Sequence, residues 1–176
     1  MTERLRALAV AALVLVAVVV PGCKRRPRAN GSLTDPLAGT FEGKPFEARG
    51  SIAWVSGLGG DLFMKVFDRP AICGTASDTP RAPSERFISI HLPWWGSATP
   101  GMTVPVRDGP VDVGEASVNA AAGGPSGGES GSPLGGRLEV VALGPTGGTI
   151  ALDVGNDESK FRGRLAFVVC QPIVQP

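Results

Sequence analysis

The chain has 176 residues, 17 Lys and Arg against 16 Asp and Glu, one His, and a formal net charge of +1. Residues 37 to 176 alone carry 11 Lys and Arg against 14 Asp and Glu, a net of −3, so no basic field of the kind that gathers nucleic acid is present. Those 140 residues suffice for one domain with its own core, and a single histidine without a CxxC pair argues against a zinc or thiol redox centre.

The first predicted element precedes that domain. "MTERLR" places Arg4 and Arg6 ahead of residues 7 to 20, which contain only Ala, Leu and Val. A helix over those 14 residues is roughly 21 Å long. That falls short of the ~30 Å a spanning helix must cross. Pro21 and Gly22 then end it, which is the layout of a secretory signal. Val20, Pro21, Gly22 and Cys23 resemble the lipobox of bacterial lipoproteins, with Pro21 as the departure from the usual pattern. The resemblance implies that residues 1–22 are removed and that Cys23 carries acyl chains anchoring the protein to the bacterial cell envelope. By analogy with other lipoproteins, Lys24 after the cysteine points to the outer membrane. The competing reading is an ordinary signal peptide with an incidental cysteine. Each buried methylene contributes ~0.8 kcal/mol, and stable anchoring takes more than one chain.

Residues 23–36 form the next unit, a lipidated cysteine and a flexible tether. Pro, Arg, Asn, Gly, Ser and Thr dominate it, and such a composition buries too little apolar surface to fold. Lys24, Arg25, Arg26 and Arg28 either meet anionic headgroups or are simply solvated.

From residue 37 the expectation is all-β, because the chain's 25 Gly and 16 Pro leave little room for helices and the apolar runs between them are short and alternating. "GTFEGKPFEARGSIAWV" predicts a hairpin: residues 40 to 42, a turn at Gly43 and Lys44, then a strand to Val55. Phe46, Ala48, Gly50, Ile52 and Trp54 share one parity in it, which assigns Trp54 to the core. "DLFMKVFD" sets Leu62, Met64 and Val66 against Phe63, Lys65 and Phe67, with both faces covered. "RFISIHL" sets Ile88, Ile90 and Leu92 against Phe87, Ser89 and His91. "GMTVPV" and "VDVGEASV" follow as strands, with Pro105 marking an edge. Residues 119–136 are low in complexity and predict a flexible Gly, Ser and Pro-rich loop. "RLEVVAL", "TIALDV" and "KFRGRLAFVVC" complete eight or nine antiparallel strands, a single β-sandwich or a partly closed barrel.

Cys73 and Cys170 remain as an even pair in an exported chain. They are either a disulfide, as an oxidising compartment favours, or two inert buried thiols. Two further patterns carry a family resemblance. Gly39, Gly43, Phe46 and Ala48 match a G-x-x-x-G-x-x-F-x-A opening, and Gly163, Phe167 and Cys170 fall on a G-x-x-x-A-x-x-C closing strand, with Phe167 nearest the place of the usual Ala. Both resemble a group of uncharacterised lipoproteins common in myxobacteria. The resemblance covers about a quarter of the chain. It implies a β-sandwich domain and a disulfide between Cys73 and Cys170, and it brings no activity.

No catalytic residue, metal site or cofactor site is assigned. His91 and Ser89 lie two apart on one strand face, but Cα atoms ~6.6 Å apart seldom place a serine oxygen on an imidazole, and no orienting acid is nearby in sequence. "GLGGDL" and "GTFEGK" read as turns rather than phosphate loops, since no helix follows and Pro45 stands where magnesium's hydroxyl ligand belongs. "DVGNDES" offers oxygen ligands to calcium, but at no familiar spacing. In "HLPWWGS", Trp94 and Trp95 diverge across a turn: both cap the end of the sandwich, or one faces outward to a ligand.

The expected function is therefore a non-enzymatic interaction or structural module. Its partners are the membrane, through Cys23, and an envelope protein or a glycan. The alternative is a glycan or small-ligand module using Trp94, Trp95 and His91.

Overall fold

The computed structural model describes residues 33–56, 60–71, 73, 85–123 and 129–170. The expected leader, Cys23 and most of the expected tether, residues 1–32, lie outside them. The described residues form eleven strands: β1 Ala38–Phe41, β2 Lys44–Glu47, β3 Gly50–Val55, β4 Leu62–Phe67, β5 Arg86–Leu92, β6 Thr103–Val106, β7 Ser117–Gly123, β8 Glu129–Pro133, β9 Gly135–Gly144, β10 Gly147–Gly155 and β11 Lys160–Val168. One sheet has the order β2-β1-β11-β10-β9-β6 and the other β3-β4-β5-β7-β8. All neighbouring strands are antiparallel, and the two sheets do not close into a barrel. This is a β-sandwich, as the alternating runs predict, with eleven strands among the described residues where eight or nine were expected.

Alternation decides which side chains meet between the sheets. Leu62, Met64 and Val66 on β4 and Ile88, Ile90 and Leu92 on β5 point inward and are buried. Facing them are Leu138 and Val140, Ile150, Leu152 and Val154, and Phe161, Leu165 and Phe167 from β9, β10 and β11. Phe41, Phe46 and Phe161 close one end of this core, with ring centroids 5.4 to 6.3 Å apart.

A second, smaller cluster lies on the outer face of the five-stranded sheet. Ile52, Phe67, Phe87 and Ala121 are buried there, with Trp54, Ala71 and Cys170 packed against them. Cys170 reaches this place because the chain crosses between sheets after β11. Its N–H donates to the Ala53 carbonyl at 2.7 Å, and a disulfide then joins it to Cys73. The pair expected from the sequence is thus bonded across 97 residues.

Three local expectations need correction. The strand foreseen from Pro45 to Val55 breaks at Ala48 and Arg49, where the chain leaves one sheet for the other. Ala48 N–H bonds the Leu37 carbonyl and Arg49 N–H the Phe67 carbonyl. Parity does not survive that change, so Phe46 is in the main core while Ile52 and Trp54 stand on the far side of the other sheet. The segment 119–136 is largely strand, supplying most of β7, all of β8 and the start of β9; only residues 124–128 of it lie outside the described residues. Conversely, residues 111–116 form no strand, and Val113 is 81% exposed.

Candidate functional site

The outer face of the five-stranded sheet carries a row of rings. Trp54 on β3 is the register partner of Phe63 on β4, which is in turn the partner of His91 on β5. Neighbouring strands lie about 4.8 Å apart, so flat side chains at paired positions can stand face to face. They do: Phe63 and His91 have centroids 4.4 Å apart and planes within 4°, and Trp54 lies 5.9 Å from Phe63 at 15°. All three rings are half-buried, leaving part of each accessible.

Asp61, just ahead of β4 and two residues before Phe63, flanks the row at His91. Its carboxylate lies 3.2 Å from His91 Nε2, and both side chains keep about 30% of their surface exposed. The two residues are 30 apart in the chain, so no local motif announces them, whereas the antiparallel register of β4 and β5 juxtaposes them. The strand neighbour of His91 on the other side is Ser117, whose hydroxyl accepts from the Asn119 carboxamide at 3.2 Å. Ser89 sits one row further on, between Lys65 and Asn119. The imidazole is thus held by a carboxylate and a ring rather than by the serine two residues before it.

Lys65 borders the row. Its ammonium pairs with Glu129 and lies 5.3 Å from the Phe87 centroid and 6.0 Å from that of Trp54. A desolvated cation over a ring gains roughly 0.5–2 kcal/mol, which helps hold this side chain down on the sheet. Together the row offers apolar ring surface, a carboxylate acceptor and an imidazole whose Nε2 is the nitrogen that pairs with Asp61. Those are groups for recognising a ligand with hydroxyls and a hydrophobic side.

The tryptophans of the turn occupy a different place. Trp94 is 3% exposed, within the main core, and its indole N–H donates to the Glu115 carbonyl. Trp95 opens a one-turn 3-10 helix, Trp95–Ser97, and its ring meets Phe167 edge-on at 5.5 Å. The rim imagined from Trp94, Trp95 and His91 is therefore not assembled: Trp94 is inside, Trp95 is half-buried against the core, and His91 stands on the opposite side of the five-stranded sheet. Trp54, Phe63 and Asp61 are the residues the sequence left out of the site.

The acidic turn after β10 is occupied by its own backbone. Asn156 Oδ1 accepts from the N–H groups of Glu158 and Ser159 at 3.0 and 2.8 Å. Among the described residues, no three His, Cys, Asp or Glu side chains converge on a position for a metal ion.

A scan against protein-family models and searches of curated proteins and of solved structures each return no match for the chain.

Proposed function

We propose that the protein is an exported, lipid-anchored and non-enzymatic interaction module of the bacterial envelope. In this reading, acyl chains on Cys23 hold it at the outer membrane, and the outer face of the five-stranded sheet receives a partner. The observation that supports it best is the half-exposed stack of Trp54, Phe63 and His91, ordered by Asp61. Aromatic surface left in a continuous row is the feature a binding face shares and a purely structural domain avoids. The disulfide between Cys73 and Cys170 agrees with an oxidising compartment.

Two measurements test the two halves of this reading. Intact-mass analysis of the native protein is expected to show Cys23 as first residue with added acyl mass, and Cys23→Ser is expected to move the protein to the soluble fraction. A polypeptide beginning at Met1, or lacking lipid mass, defeats the anchor. In-cell crosslinking is expected to capture one envelope partner from the native protein and from Trp95→Ala, and to lose it with Trp54→Ala or His91→Ala. Capture unaffected by all three substitutions removes the face.

A second reading, a glycan module, is favoured by the combination of ring surface with the carboxylate and imidazole. Titration with soluble cell-wall oligosaccharides, followed by tryptophan fluorescence, is then expected to give a saturable change that Trp54→Ala abolishes. A flat titration retires it.

A further inference from the structure

The outer face of the six-stranded sheet looks away from the aromatic stack, on the other side of the sandwich. Its side chains follow from the register. Arg162, Asp153 and Arg137 stand in one row across β11, β10 and β9, and Arg164, Ala151, Glu139 and Thr103 in the next. Lys160, Arg162 and Arg164 alternate along one side of β11, because Phe161, Gly163 and Leu165 point inward. With Arg137 that makes four cations. Against them on this face stand Asp153, Glu139 and, beside Ala38, Glu47. The strand side chains of this face thus sum to +1, without Asp35 of the incoming segment, while the rest of residues 37–176 carries −4. Arg137 is the exposed partner of Asp153 at 3.5 Å, and Arg162 Nε is buried without a hydrogen-bond partner.

A second observation concerns how the chain arrives. Leu33 lies over this same face, where it lines a hollow of about 90 Å3 with Thr103, Arg137, Glu139, Ala151 and Asp153. Arg164 secures that segment: its Nε donates to the Leu33 carbonyl at 3.1 Å, its N–H to the Asp35 carbonyl at 2.7 Å, and its own carbonyl accepts from Leu37 at 2.8 Å. Cys23 is ten residues upstream of Leu33. Ten residues span at most ~36 Å.

We propose that the outer face of the six-stranded sheet docks on anionic phospholipid headgroups. The anchored molecule then stands with β9, β10 and β11 toward the bilayer and with Trp54, Phe63 and His91 turned away from it. The inference rests on the lipid-anchor reading, because the short tether delivers this face to the membrane. It adds what that reading leaves open, which side of the domain meets the lipid. Arginine suits the role through its fixed fork of donors, which matches phosphate oxygens.

The test uses the full-length lipidated protein, its acyl mass confirmed, in vesicles of phosphatidylglycerol with phosphatidylethanolamine and in vesicles of phosphatidylcholine alone. A fluorescent amino acid replaces Thr103 on the proposed docking face in one sample and Ser89 on the opposite face in another, and a quencher is fixed to the headgroups. Quenching at position 103 is expected to exceed that at 89 by about tenfold in the anionic vesicles. The difference is expected to vanish in phosphatidylcholine and in about 1 M salt, where screening acts within ~3 Å. Lys160→Glu combined with Arg137→Glu is expected to abolish it as well. The salt arm needs no substitution in the stripe and decides the matter should that variant fail to fold. Protein washed off the vesicles defeats the anchor reading. Protein retained but quenched equally at both positions, or equally in the two lipids, overturns the docking face alone.

Discussion

Gly39 shows how little room the joint between the first and last strands leaves. Its register partners are Phe46 on β2 and Phe161 on β11, and a Cβ built on it would sit 1.8 Å from the Lys160 carbonyl oxygen. Backbone cannot give way as a flexible side chain does. Gly39→Ala is therefore expected to lower the unfolding free energy by about 3 kcal/mol or to prevent folding, as read by urea denaturation. Gly43 makes the contrast. Glu42 and Gly43 both have positive φ, 48° and 75°, in a two-residue hairpin turn, and no other atom lies within 4 Å of a Cβ at Gly43. Gly43→Asn, a residue that tolerates this conformation, should stay within about 0.5 kcal/mol of the parent. The tryptophans divide in the same way. Trp94→Ala empties a buried site and is expected to destabilise by about 4 kcal/mol. Trp54→Ala, on a half-exposed face, should cost about 1 kcal/mol; thermal melts of the two variants rank them. At this scale the site was only partly legible in the sequence. His91 was visible as the sole histidine. Asp61 was not, because its nearness to His91 depends on strand register, and Trp54 was assigned to the interior by a parity that a sheet change had reversed.

Among the elements, β4 and β5 could be read directly from residue alternation, since each runs through one sheet without interruption. The strand from Pro45 onward could not. Nothing in "FEARG" marks the point where hydrogen bonding passes from Leu37 to Phe67 as partner. Residues 119–136 misled for another reason. Small residues look like loop, yet in β7 they are what fits: Ala121 is the register partner of Phe87 and Ala120 of Ile88, so large side chains on β5 fill the space that alanine leaves. On the far side of that sheet, the disulfide holds Cys170 against Ile52, Phe67 and Phe87. Closing a loop of that size stabilises by up to about 4.7 kcal/mol on the chain-entropy model. Cys73→Ala with Cys170→Ala is expected to cost about 4 kcal/mol in urea, and to speed hydrogen exchange at the amide of position 170, which bonds Ala53, more than at the β10 amides. Equal acceleration at both would mean that the crossing to β3 does not depend on the bond.

The molecule as a whole has one main core to which both sheets contribute, from Leu62 and Ile90 on one side to Leu152 and Phe161 on the other. Neither sheet can bury its apolar face without the other. Unfolding should accordingly be a single transition, with the combined fluorescence of Trp54, Trp94 and Trp95 coinciding with far-ultraviolet circular dichroism in urea. Separate midpoints would show that one sheet survives alone. The placement of β1 has a mechanical consequence. This strand is the first of the sandwich, and it is hydrogen-bonded on both sides, to β2 and to β11. A pull on the chain along the direction of β1 would load both ladders together, three register pairs with β11 and four with β2, instead of an edge held on one side only. A domain threaded this way has its entering strand clasped from two sides, so the first strand cannot leave without breaking both pairings.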